Sequence, residues 1–145
     1  MRRMLAIARQ LDYEVHISDI EDEPDLLGYT VPEERVIVLR LGMTHNQTRA
    51  VLAHELGHAY YGHTCDSPAN ERQAEAFAAT ILIDPASYAE LEQINADAHY
   101  IADELSVTVD LVHAYRAHCL TKLRGVSYAF ARMGAGQSKY RGSYA

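Results

Sequence analysis

The spacing of apolar residues along this chain changes character near residue 41. Before that point the apolar positions come in short runs. Residues 2–11 predict a short helix with Met4, Leu5, Ile7, Ala8 and Leu11 on one side. Residues 13–17 alternate as a strand does, residues 27–31 suggest a second strand, and residues 35–40 (RVIVLR) predict a third with apolar side chains on both faces. After it the period becomes three-and-four. Thr44 followed by Gln47 is a capping box, so a helix is expected from there to about Gly62. Ser67-Pro68 predicts the next start, and Ala74, Phe77, Ala78, Ile81 and Leu82 give that helix an apolar side. It should end before Asp84-Pro85, because proline disfavours helix in the residue preceding it. Two more helices are expected, near 95–105 and 108–124. The order is α+β: a small N-terminal three-stranded sheet packed on a helical core. Residues 1–132 are expected to form one domain and the glycine- and serine-rich residues 133–145 a flexible tail.

Composition narrows the class. The chain has 145 residues, 48% hydrophobic and 23% charged, which suits one globular domain. No apolar run approaches the ~20 residues of a membrane span. The opening MRRMLAIARQ is basic, but its apolar part, Met4 to Ala8, is too short for a secretory signal. A cytoplasmic location is therefore expected, with Cys65 and Cys119 as free buried thiols. The net charge of −7 is uneven: residues 10–34 carry acids and no Lys or Arg, and residues 111–145 carry bases and no acid. This balance argues against general nucleic-acid binding, and the sparse basic end reads as a solvated face.

The stretch HELGHAYYGH, residues 54–63, carries the candidate chemistry. Positions four apart on a helix lie ~40° from each other, so His54 and His58 point the same way, one turn apart. Two imidazoles so placed can share a tetrahedral ion at ~2.1 Å. Glu55 points ~100° from His54 and can act as general base on a water at that ion. Gly57 in mid-helix costs ~1 kcal/mol against alanine and implies a close backbone approach. The competing reading is an ordinary helix with two core histidines.

A catalytic zinc site needs a third ligand. His63 departs from the metzincin spacing and sits at the expected helix end, so it is expected at the surface or beside the ligands. Glu71 and Glu75 share one face of the next helix, where like charges repel by a few tenths of a kcal/mol. Glu71 is expected to bind the ion, and Glu75 to accept the N–H of a ligand histidine. The competing reading is a solvated glutamate pair. The oxyanion donor is left open among Tyr60, Tyr61, His45 and Tyr100.

Four segments, RVIVLRLG, TRAVLAHELGHAYYGH, ERQAEAFAATILIDP and IADELSVTVDLVHAY, together resemble the ImmA/IrrE zinc metallopeptidases, a gluzincin-like group. The resemblance implies His54, His58 and Glu71 as Zn2+ ligands, Glu55 as catalytic base and a supporting role for Glu75. It also implies a zincin-like core and, as target, a helix-turn-helix transcriptional repressor of phage, mobile-element or stress regulation. The chain looks like a stand-alone, minimal member. The alternative is a metal-containing anti-repressor that sequesters a regulator without cleaving it. IADELSVTVDLVHAY has the outline of half a helix-turn-helix, but Asp103, Glu104 and Asp110 crowd its turn, and two packed helices are expected there without direct nucleic-acid contact.

Overall fold

The computed structural model describes residues 1–65, 67–123 and 126–129, and the expected tail at 133–145 lies outside them. Helix α1 (Arg2–Gln10) leads into strands β1 (Glu14–Ser18), β2 (Gly28–Val31) and β3 (Val36–Arg40). Helices α2 (His45–Tyr61), α3 (Pro68–Leu82), α4 (Pro85–Ile94), α5 (Ala98–Leu105) and α6 (Val109–His118) follow, then strands β4 (Leu120–Leu123) and β5 (Val126–Ala129). The class is α+β, with a three-stranded sheet in the N-terminal part and six helices. Sheet order is β1-β3-β2, with β1 parallel and β2 antiparallel to β3. β3 is therefore the central strand, and β2 is an edge. Ile37 and Leu39 of β3 are fully buried. The Arg40 guanidinium donates to the Ile20, Glu23 and Leu26 carbonyls and so pins the acidic loop before β2.

Helix α2 is the centre of the molecule. Its start is the expected capping box: the Thr44 hydroxyl accepts from Gln47 N–H, and the Gln47 side chain accepts from Thr44 N–H. Every residue from Ala50 to His58 is buried, as befits a helix covered all round. The sheet (β2 and β3) packs on it, as do α1 and α3. At its end Gly62 takes the left-handed conformation (φ 66°, ψ 38°), and His63 N–H bonds back to the His58 carbonyl. That is the hydrogen bond of a glycine-closed helix end.

Two helical expectations are corrected. Asp84-Pro85 does stop α3, yet it also starts α4, which the sequence reading omitted. Proline occupies the first turn, and the Asp84 carboxylate accepts from Ser87 N–H. The helix expected over 108–124 ends at His118, and the chain continues as the β4–β5 hairpin. Helices α5 and α6 pack together across Ser106, in the left-handed region, and Arg49 of α2 donates to the Ser106 carbonyl. Cys119 is buried as expected, whereas Cys65 is exposed. Among the described residues no helix is long and apolar enough to cross a membrane.

Candidate metal centre

Close packing of α2 on α3 builds the site. A Cβ on Gly57 would meet Ala74 Cα at 2.8 Å and Ala74 O at 3.1 Å, so only glycine lets the helices lie this close. This approach brings Glu71, in the first turn of α3, over the histidine face of α2. His54 Nε2 and His58 Nε2 are 3.1 Å apart. Glu71 straddles them, with Oε2 at 3.3 Å from His54 Nε2 and Oε1 at 3.3 Å from His58 Nε2. Among the described residues these three form the group whose donor atoms could share one ion.

The set fits a zinc ion on three grounds. A tetrahedron with arms of ~2.0–2.1 Å has edges of roughly 3.3 Å, close to the separation of the two imidazole nitrogens and to that of each from a Glu71 oxygen. Glu71 Oε1 is buried and makes no hydrogen bond, although an imidazole nitrogen stands beside it; a cation facing both would satisfy it. Two imidazoles and one carboxylate are also the donor set of one kind of catalytic zinc site. The electrostatics favour the metal-ready forms. Burial pushes the His58 imidazolium down to about 4, opposed only in part by Glu71. Burial alone would raise the Glu71 carboxyl, but the two imidazoles beside it hold it down at about 2. Near neutral pH this pair is a neutral imidazole and a carboxylate, both ready to donate.

Glu55, next to His54 on α2, is fully buried. Thr30 of β2, itself fully buried, donates its hydroxyl to Glu55 Oε2 at 2.7 Å. Thr30 is not among the candidate site residues that the sequence pattern picks out. It lies 25 residues upstream on another element, and its one signal is a polar residue on the buried face of an edge strand.

One further position differs from expectation. Glu75 was expected to orient a ligand histidine. One turn beyond Glu71, it instead faces α6, where its Oε2 lies 3.0 Å from His118 Nε2. Of the two places left open for His63, the structure gives the one beside His58, where it is buried. Its Nδ1 is 2.9 Å from His58 Nδ1, and its Nε2 is 2.7 Å from Gln73 Oε1. Burial lowers its pKa, offset in part by Gln73. Of the open oxyanion candidates, Tyr61 stacks on His63 (centroids 5.6 Å apart, planes at 15°), and half-exposed Tyr60 lies against Phe77. Tyr100 packs on the core, and exposed His45 begins α2, about 13 Å along the axis from His54.

The family model described as the IrrE N-terminal-like domain, a peptidase family, matches residues 8–117, from the end of α1 into α6. No curated protein matches the chain.

Proposed function

The chain belongs to the IrrE N-terminal-like peptidase family, M78, and from that premise we propose that it is a zinc-dependent endopeptidase of the His-Glu-x-x-His type acting on a helix-turn-helix repressor. The observation that carries this reading is the meeting of two imidazole nitrogens, 3.1 Å apart, with the two oxygens of one carboxylate, each 3.3 Å from one of them, and a second carboxylate, Glu55, next to His54 on the same helix. The repressor as substrate, in phage, mobile-element or stress regulation, is what the likeness of four segments to ImmA/IrrE peptidases supports.

In this reading His54, His58 and Glu71 hold the ion. Zinc bound there would supply Lewis acidity, bringing the pKa of water to about 7 and polarising a carbonyl. Glu55 accepts a proton from the attacking water and returns it to the leaving amine nitrogen. Thr30 fixes Oε2, which leaves the carboxylate one orientation from which to do so. An extended substrate would add to the edge strand β2, beside the base that Thr30 holds.

Incubation of the zinc-loaded protein with a purified repressor encoded beside it, read by mass spectrometry, tests this. Repressor fragments made by the native protein but not by Glu55→Gln are expected. Equal binding by both proteins with no cleavage would refute the peptidase reading for that target and favour sequestration.

A further inference from the structure

We propose that Gln73 and His63 are positioning residues that lock His58 in the tautomer able to donate Nε2 to the metal. The inference rests on the metal-centre reading above and deepens it.

The geometry fixes the direction of each hydrogen bond in turn. Gln73 Oε1, 2.7 Å from His63 Nε2, can only accept, so His63 Nε2 carries the hydrogen. A neutral imidazole has one N–H, so His63 Nδ1 is left as an acceptor. That nitrogen lies 2.9 Å from His58 Nδ1, which must therefore donate. The lone pair of His58 then resides on Nε2, the atom that faces His54 Nε2 and Glu71 Oε1. Reversal of the Gln73 amide would invert every step and present an N–H to the site instead.

The fold holds this relay rigidly. His63 is fully buried. The left-handed Gly62 folds it back so that its N–H bonds to the carbonyl of the same His58 whose ring it touches. Tyr61 covers its face. Gln73 comes from α3, two residues past Glu71, so the helix that supplies the carboxylate ligand also sets the tautomer of a ligand on α2. A metal-ligating histidine commonly donates its second N–H to a carboxylate, carbonyl or water; here a second histidine takes that place, with an amide behind it.

The test has two arms. In zinc-loaded protein with 15N-labelled histidine, long-range proton–nitrogen correlations should show His58 with hydrogen on Nδ1 and His63 with hydrogen on Nε2. Hydrogen on His63 Nδ1 would overturn the proposal. Competition with a chromophoric chelator should show zinc affinity weakened about 10–100-fold in Gln73→Met, which keeps the shape and removes the acceptor. Gln73→Glu, which keeps an acceptor, should bind zinc at least as tightly as the native chain. A purely packing role would impair both variants alike, and native affinity in Gln73→Met would also refute the relay. Failure of the native protein to take up stoichiometric zinc is a different result: it refutes the metal centre itself, and the relay with it.

Discussion

Glu55 and Thr30 show how much a single hydrogen bond can carry at a buried site. Removing the hydroxyl while keeping the shape, as in Thr30→Val, leaves a buried carboxylate oxygen without this donor. The expected cost is about 1–3 kcal/mol of stability, with slower cleavage and unchanged zinc content, measured by urea unfolding and metal analysis. Glu55→Gln should lower cleavage by about 10²–10⁴-fold while zinc still binds. His58 supplies a pH dependence. Its pKa in the fold, about 4, lies below the ordinary 6.5. The unfolded chain therefore binds the extra proton first as pH falls. In the metal-free protein this stability is complete above pH 6.5 and is lost between 6.5 and 4, by an amount on the order of 3 kcal/mol. Buried His63 shifts the same way, whereas Glu71, held at about 2, loses its contribution only below about 4.5. Urea unfolding of the chelator-treated protein at pH 7.5 and pH 4.5 checks the sign. His54 and His58 were legible because helical period fixes which side chains share a face, and Glu71 because a second motif follows on the next helix. Thr30 was not, since its contact crosses from strand to helix, and the place of His63 was left open because it depends on a turn beyond the last periodic residue.

At the scale of elements, Gly57 decides whether α3 can bring its carboxylate to the histidines. Gly57→Ala would gain about 1 kcal/mol of helix propensity. The new methyl, however, would meet the backbone of Ala74 at 2.8 Å, and backbone cannot swing aside. Overpacking costs about 1–3 kcal/mol, so the net effect is expected to be loss. Zinc affinity should fall by at least about tenfold as Glu71 moves out, a result that chelator competition reads. The role of Gly57 was visible in advance because mid-helix glycine is unfavourable without a reason. The boundaries that failed did so where one signal has two meanings. Asp84-Pro85 ends α3 and caps α4 at once. After His118, the Leu-Thr-Lys-Leu run fits either a continued helix or a strand, and β4 forms because it pairs with β5.

Across the whole molecule, the candidate ligands join α2 to α3. An ion that binds only the native arrangement stabilises it by mass action, about 4 kcal/mol when free zinc is about 1,000 times Kd. Stripping the metal with a chelator should therefore lower Tm by roughly 10 °C, as calorimetry can show, and His54→Ala should abolish that difference. The overall class was readable because the apolar period switches from strand-like to helical only once along the described chain. The order β1-β3-β2 was not, because period alone does not say which strand lies inside. The imidazoles of α2 meet Glu71 of α3, and the Glu55 carboxylate beside them is held by Thr30 of β2, so the two halves of the chemistry are anchored to different partners. A compound lodged in the seam between β2 and α2 could then disarm proton transfer without ever displacing the ion, an inhibition that chelation-based screens would overlook.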